Sequence, residues 1–309
     1  MEQPPTTGRR ALVLGGGGAY GIVQAAYIQA VTEAGFRPDL VIGTSVGALN
    51  GAWVAMYPDD PEGLIGAWRE LGDIRVLDMH PLRLASRLVR RSPALCGRDM
   101  VAPLVKRHLG RLTFEDTKLE LGVVATNLSR GRKHVFREGL IAPAVRASTA
   151  IPGVFEPYEI GGELFVDGCI TASVDLGSAV EAGATEILAI ELAPPFTPKR
   201  ATSALGVVSQ AFGVLSRAAI DATEAVASRQ AAIHVLRPDL SGLSPWRLEY
   251  RPGLVEEHLE AARREVAGAL DAAGRVVPAT TSRPRGVIDA PAPRPVTRLV
   301  PRPIRRLAA

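Results

Sequence analysis

The stretch ALVLGGGGAYG, residues 11–21, places four consecutive glycines directly behind a short apolar run. The apolar run predicts a buried strand over residues 10–14, and the residues from Gly21 onward have the apolar spacing of a helix that stops near Gly35. A glycine loop between a strand and a helix can bring backbone N–H groups close to an anion. Three anions fit such a loop: a dinucleotide, a triphosphate, or the oxyanion of an ester under attack.

The residues that surround the loop favour the third of these anions. Gly16-x-Gly18-x-x-Gly21 matches the dinucleotide fingerprint, but that fingerprint requires an acid at the end of the second strand, and Asp39 precedes the strand instead. A triphosphate loop requires Lys and then Ser or Thr after its glycines, where this chain has apolar residues. A nicotinamide- or flavin-binding oxidoreductase is kept as an alternative interpretation of the loop.

The second predicted strand, DLVIG at residues 39–43, runs into GTSVG, the G-x-S-x-G pattern of a nucleophile elbow. A serine on such a strand-to-helix turn has a strained backbone that exposes its hydroxyl group. Gly43 and Gly47 on either side of Ser45 allow the chain to pass close to itself. The helix that follows points its positive end at the hydroxyl group, so Ser45 is the candidate nucleophile.

The glycine loop and the elbow both follow strands of the same predicted sheet. Because neighbouring strand–helix junctions of a parallel sheet can lie side by side, the backbone N–H groups of the loop are expected to face the acyl group held by Ser45. Gly16, Gly17 and Gly18 are therefore predicted to form an oxyanion hole.

Apolar strands alternate with helical patterns along most of the chain, which predicts an α/β fold whose mostly parallel sheet is covered on both faces. The segment 201–230 could cover the site as a lid or pack as part of the core, and packing as core is the favoured prediction. Further strands are predicted for LELGVVATNL, KHVFRE, EILAIEL and AIHVLRP, and further helices for residues 61–111, 201–230 and 254–273.

The composition of the 309-residue chain, 47% hydrophobic, is consistent with one large folded domain, assigned to residues 10–275 after a short extension at 1–9. Residues 276–309 hold seven prolines and seven arginines against one acid, and they are expected to form a disordered tail. The net charge of +4 originates in this tail, since the remaining residues have a net charge of −2. The charge therefore gives no indication of nucleic-acid binding.

The sequence predicts a cytoplasmic protein, because two cysteines, Cys96 and Cys169, are too few for a secreted disulfide framework and no apolar segment could span a bilayer. Residues 72–111 carry nine Lys or Arg against three acids, and LRLASRLVRR at 82–91 has the pattern of a basic amphipathic helix. Such a helix can lie on an anionic membrane surface, and the arginine-rich tail could add to that attraction. A solvated surface helix is the alternative.

Ser45 needs a proton acceptor, and Asp167 is the best candidate. It follows apolar strand residues in the sequence VDG at 166–168, where a carboxylate is partly desolvated and held in place, and can accept the serine proton directly. An ordinary Asp-Gly turn and a histidine-dependent hydrolase are the alternatives, although no histidine lies in a sequence typical of a catalytic loop. The five histidines are His80, His108, His134, His234 and His258.

Four segments, together with VVATNLSRGRKHVF, resemble the patatin-like phospholipase family of lipid acyl hydrolases over about residues 10–192. The resemblance implies a three-layer α/β/α fold, a lipid ester substrate such as a phospholipid or lysophospholipid, and a Ser–Asp dyad that requires no histidine, metal or cofactor. By motif, it makes Ser45 the nucleophile, Asp167 the base and the glycine loop the oxyanion hole. The four segments are GGGGAYG (15–21), GTSVG (43–47), RASTAIPGVFEP (146–157) and VDG (166–168).

The chain departs from the family pattern at two positions. Tyr20 stands where the family usually has Arg or Lys, and Cys169 stands where the family usually has Gly or Ala after the Asp-Gly pair. Neither change removes a reacting atom, so the resemblance still implies an active enzyme. A lipid-binding or scaffold protein of the same fold, without catalysis, is the alternative.

Overall fold

A computed structural model describes residues 8–72, 74–75, 92, 94, 102, 105–193, 204–248 and 250–274. The basic helix predicted at 82–91, the tail at 276–309 and most of the N-terminal extension lie outside these residues, so the statements made about them remain predictions. The described residues up to 273 belong to one compact unit.

Eight strands form the central sheet, and two further short strands form a separate antiparallel pair. In chain order the strands are β1 (Arg10–Leu14), β2 (Leu40–Thr44), β3 (Ile74–Arg75), β4 (Glu120–Asn127), β5 (Arg132–Phe136), β6 (Tyr158–Ile160), β7 (Glu163–Asp167), β8 (Glu186–Ile190), β9 (Ala232–Leu236) and β10 (Arg247–Leu248).

The sheet has the order β6-β7-β4-β2-β1-β8-β9, with β5 paired to β4, and β3 pairs with β10 outside it. The five strands from β4 to β9 in this order are parallel, which confirms the predicted mostly parallel sheet. Strands β5, β6 and β7 are antiparallel additions. The β4–β5 and β6–β7 connections are too short for a crossover helix, and a short turn can only join antiparallel neighbours.

Helices cover both faces of the sheet. They are α1 (Gly21–Glu33), α2 (Val46–Met56), α3 (Pro61–Leu71), α4 (Ile141–Ser148), α5 (Leu176–Glu181), α6 (Ala204–Ala227) and α7 (Leu254–Gly274), with a π-helical turn at Val105–Leu109 and 3₁₀ turns at Gly18–Tyr20, Phe114–Asp116 and Gly168–Ile170.

Alternate residues of the central strands enter two separate cores, which makes the fold three layers deep. Leu12 and Leu14 of β1 pack in one core with residues of α1, α2, α3, α4 and α7. Ala11 and Val13 of the same strand pack in the other core with residues of α5 and α6. Because successive side chains of a strand point to opposite faces, this division confirms the expected α/β/α architecture.

Helix α6 differs from the expectation that the segment 201–230 packs as core. Val207, Val214 and Leu215 are 54%, 50% and 66% exposed, whereas Ile220 and Ala227 are buried in the second core. The segment carries polar residues such as Gln210, Arg217 and Asp221 mainly on one side of the helix. This pattern predicts that the apolar side packs on the sheet, yet the three apolar side chains named first are exposed. Among the described helices, including α6, none combines the length and the apolar character needed to cross a bilayer.

Candidate active site

The serine of the elbow has a backbone conformation that few residues other than glycine adopt. Ser45 lies between β2 and α2 with φ 55° and ψ −124°, and among the described residues it is the only one other than glycine with a positive φ. A Cβ atom at Gly43 would lie 2.3 Å from the carbonyl oxygen of Gly47, and one at Gly47 would lie 2.2 Å from that of Leu14. The turn therefore accepts only glycine at these two positions, as the elbow pattern predicts.

Asp167 is brought to Ser45 by strand β4, which pairs with both of the strands that carry these residues. Thr44 at the end of β2 is in register with Val124, and Asp167 at the end of β7 is in register with Ala125. The hydroxyl group of Ser45 donates a hydrogen bond to Oδ2 of Asp167 at 2.6 Å. Two residues 122 positions apart therefore meet because their strands end at adjacent positions of β4.

The carboxyl group of Asp167 lies in a desolvated site with few partners. Burial raises its pKa above the ordinary value of 3.8, and this effect is partly offset by the hydrogen bonds from Ser45 and Cys169. The N–H of Cys169 donates to Oδ1 at 2.8 Å, which leaves Oδ2 directed at the serine. A carboxylate with a raised pKa is a better proton acceptor than a solvated one.

The three glycines of the predicted oxyanion hole differ in what their N–H groups contact. The N–H of Gly16 donates to the carbonyl oxygen of Ser173 at 3.1 Å, so this group could meet an oxyanion only if that bond were broken. No described residue accepts a hydrogen bond from the N–H of Gly17 or Gly18. Gly18 has φ 57°, and a Cβ atom there would lie 2.5 Å from the carbonyl oxygen of Pro245, so this position requires glycine.

The two departures from the family pattern leave the Ser45–Asp167 contact intact. Tyr20 is buried, and its hydroxyl group donates to the carbonyl oxygen of Leu243 at 3.3 Å. Burial raises the pKa of Tyr20 to about 12, so the side chain is a neutral anchor of the loop at physiological pH. The sulfur atom of Cys169 lies beside Gly16, where an added Cβ atom would be 2.2 Å from it.

A buried amide network holds the glycine loop against the elbow helix, and sequence reasoning missed it. The Nε2 group of Gln24 donates to the carbonyl oxygen of Gly15 at 3.0 Å, and the Nδ2 group of Asn50 donates to that of Gly21 at 2.9 Å. Asn50 also bonds to Gln24 and to the indole N–H of Trp68. The available signal was the single polar residue of the otherwise apolar helix α2, Asn50, and a glutamine in the apolar first half of α1, because a buried amide needs partners.

The described histidines do not contact the serine–aspartate pair. The ring of His134 packs 4.3 Å from that of Phe136 and 5.4 Å from that of Phe165. Burial lowers the pKa of His134 and that of His258. His258 is half-buried, and His80 lies outside the described residues.

Comparison with known families shows which family the chain belongs to. The family model described as patatin-like phospholipase matches residues 12–180, more than half of the chain. The chain belongs to the patatin-like phospholipase family. Membership of this family supports a lipid ester hydrolase as the class of enzyme.

Curated relatives of this patatin-like protein include bacterial and fungal proteins. An uncharacterized NTE family protein of Mycobacterium tuberculosis is 31% identical over 228 residues, which are 68% of this chain and 61% of the relative. Lysophospholipase NTE1 of Phaeosphaeria nodorum is 32% identical over 181 residues, which are 59% of this chain and 12% of the relative. The matched part therefore amounts to about three-fifths of the length of the mycobacterial protein and a small part of the fungal one.

A solved structure shows the same fold at low sequence identity. VipD from Legionella pneumophila superimposes with a TM-score of 0.52 at 17% identity, and the match covers 86% of this chain and 67% of that one. The likeness concerns the fold alone.

Proposed function

We propose that this protein is a serine acyl hydrolase that cleaves ester bonds of lipids with a Ser45–Asp167 dyad. The observation that carries the proposal is the 2.6 Å hydrogen bond from the serine hydroxyl to a buried carboxyl group. A nucleophile within hydrogen-bond reach of its base is the arrangement that acyl transfer requires. Family membership supports a lipid ester as substrate, and we propose the acyl chains of phospholipids or lysophospholipids.

The first half of the reaction forms an acyl-enzyme. Oγ of Ser45 attacks the ester carbonyl carbon while Oδ2 of Asp167 takes the hydroxyl proton, which gives a tetrahedral intermediate with a negatively charged oxygen. When the intermediate collapses, the bond to the leaving alcohol breaks and Asp167 returns its proton to the alcohol oxygen. The acyl group remains on Ser45 as an ester.

The second half of the reaction repeats these steps with water. The oxygen of a water molecule attacks the carbonyl carbon of the acyl-enzyme while Asp167 takes a proton from that water molecule. The proton then returns to Oγ of Ser45 as the acyl–oxygen bond breaks, and the fatty acid is released. The dyad ends the cycle in its starting protonation state.

The N–H groups of Gly17 and Gly18 are the proposed donors to the oxyanion. They have no acceptor among the described residues, and their loop leaves the sheet beside the elbow, because Leu14 and Gly43 are in register on neighbouring parallel strands. Preorganised backbone donors of this kind typically contribute about 10²- to 10³-fold each to turnover. The first turn of α2 adds the positive end of a helix.

Labelling with a fluorophosphonate tests the assignment of the nucleophile. We expect one modified peptide, containing Ser45, and no labelling of the Ser45→Ala variant. Ser129→Ala is a matched control and should label normally, because Ser129 is a surface serine that contacts the N–H of Leu164. A lipid panel with a phospholipid, a lysophospholipid and a triacylglycerol then identifies the preferred ester.

Two outcomes of these measurements would favour the alternatives. A folded protein that binds lipid vesicles without reacting at Ser45 would be a non-catalytic lipid-binding member of the fold. A protein that binds a dinucleotide tightly, loses this binding in Gly18→Val and is unaffected by Ser45→Ala would be an oxidoreductase.

The pH dependence of turnover should report the raised pKa of Asp167. The base works only when it is ionised, so kcat should fall as pH decreases through this pKa. The acid limb of the kcat profile should lie at a pH above 3.8, the ordinary pKa of aspartate. The measurement is kcat for p-nitrophenyl butyrate between about pH 4 and pH 9, a range that also covers histidine. A limb that disappears in His258→Gln would instead indicate a histidine base.

A further inference from the structure

The segment RASTAIPGVFEP, residues 146–157, is the one family motif that supplies no reacting group to the proposed chemistry. Its first residues close helix α4, in which Ser148 is the last helical residue. The side chain of Ser148 is 0% exposed. A buried hydroxyl group needs hydrogen-bond partners, and the partners of this one indicate what the motif does.

Residues at the end of α4 contact the backbones of both proposed dyad residues. The hydroxyl oxygen of Ser148 accepts the N–H of Ser45 at 2.7 Å and donates to the carbonyl oxygen of Val124 at 2.6 Å. Two residues further on, the carbonyl oxygen of Ala150 accepts the N–H of Asp167 at 2.8 Å. One short segment therefore holds the nucleophile and the base at the same time.

The bond to Ser45 has two consequences for the elbow. The N–H of Ser45 precedes the first residue of α2, so it has no partner in the helix, and Ser148 provides one while tying it to β4. The direction of this N–H is linked to the direction of the Cα–Cβ bond, and hence to the position of Oγ relative to Asp167. The same bond occupies the N–H of Ser45, so an oxyanion has to rely on donors such as those of Gly17 and Gly18.

We propose that Ser148 is a positioning residue for the Ser45–Asp167 dyad, and that its hydroxyl group and the backbone carbonyl group of Ala150 together set the distance between nucleophile and base. This inference rests on the proposed function. Ser148 forms no bond with the substrate in this scheme and acts only through the backbone of Ser45.

The test is the turnover of Ser148→Ala per active site, with sites counted by fluorophosphonate titration so that misfolded protein does not contribute. We expect kcat for p-nitrophenyl butyrate to fall about 10- to 100-fold with little change in KM, since a displacement near 1 Å can reduce turnover about 100-fold. The acid limb of kcat should move to higher pH, because the bond from Ser45 lowers the pKa of Asp167 and would be weakened. A purely structural role would leave both quantities per site unchanged.

Thr149→Val is the matched control. It also removes one hydroxyl group from the end of α4, but that group bonds to Val145 within the helix, so kcat per site should stay close to the native value. If Ser148→Ala does not fold, Ser148→Cys keeps a weaker donor and acceptor and should lose about 10-fold.

Native kcat per site in the Ser148 variant, or an equal loss in Thr149→Val, would overturn the inference. The Ser45→Ala variant distinguishes failure of this inference from failure of the proposed function. If Ser45→Ala is inactive while Ser148→Ala is normal, only the positioning role fails. If Ser45→Ala is active, the dyad itself is wrong.

Discussion

The Asp167→Asn variant should lose roughly 10³- to 10⁴-fold in kcat and at the same time unfold at a higher temperature than the native protein. The loss of turnover follows from the chemistry, because an amide cannot accept the proton of Ser45. The geometry should persist, since an asparagine can still accept the N–H of Cys169 through its oxygen and donate to Ser45 through its nitrogen.

The expected gain in stability follows from the direction of the pKa shift. Burial raises the pKa of Asp167 in the folded protein, so the unfolded chain ionises this group more readily than the folded one does. At neutral pH, ionisation of Asp167 therefore destabilises the folded state. This effect is absent below the pKa of aspartate in the unfolded chain, which is about 4. Asparagine removes the buried ionisable group, so we expect Tm to rise by about a few degrees. Substitutions that remove a strained active-site group commonly increase stability while they reduce activity.

Thermal unfolding of both proteins at about pH 7.5 and about pH 4.5 tests whether the variant has the higher Tm. The difference in Tm should be larger at the higher pH and shrink at the lower one. Asp175→Asn is the control, because it removes another buried carboxylate, one that pairs with Lys133 at 2.9 Å, and should lower Tm while leaving kcat unchanged. An Asp167→Asn protein that keeps native kcat would remove Asp167 from the mechanism.

The Gly47→Ala variant should be strongly destabilised by the single methyl group that it adds at the elbow. The new Cβ atom would lie 2.2 Å from the carbonyl oxygen of Leu14, 2.6 Å from its carbonyl carbon and 2.7 Å from the carbonyl oxygen of Gly15. These are backbone atoms, which cannot move away by a change of rotamer, and Gly15 begins the glycine loop. We expect at least about 3 kcal/mol of lost stability, and reduced kcat in any protein that still folds.

Gly66→Ala adds the same methyl group in the middle of α3, where no atom lies within 4 Å of the new Cβ. This control should gain up to about 1 kcal/mol, since alanine is the better helix former. Urea denaturation of the two variants measures the contrast. Equal stability of Gly47→Ala and the native protein would mean that the two strand–helix junctions do not touch.

Much of the sheet could be predicted because the parallel strands are short apolar runs, which are buried on both faces in β1, β2, β4 and β8. This pattern indicated β1, β2, β4, β8 and β9 and their alternation with helices. The apolar pattern of β5, β6 and β7 did not indicate that these strands are antiparallel to their neighbours, because the direction of a strand depends on the length of the connecting turns. The exposure of Val214 and Leu215 on α6 could not be predicted either, because apolar residues at helical spacing are expected to face the core, whereas Ile220 and Ala227 do so here.

The sequence by itself determined the elbow, because the close approach of Gly43 to Gly47 joins residues near each other in the chain and Ser45 in GTSVG is recognisable from this pattern alone. The need for glycine at position 18 depends on Pro245, which is distant in the chain. The apolar residues before Asp167 and the resemblance to a family together indicated Asp167 as the base, but they did not give its distance from Ser45.

Only the tertiary structure decided how these groups are held together. Strand register places Asp167 beside Ser45. Packing gives the N–H of Gly16 an acceptor that the N–H groups of Gly17 and Gly18 do not have among the described residues, and it directs the hydroxyl group of Ser148 at the elbow. Hydrogen bonds of this kind join residues more than a hundred positions apart, and their geometry depends on how whole strands and helices pack. The residues around Ser148 in the chain carry no information about which N–H group it will meet.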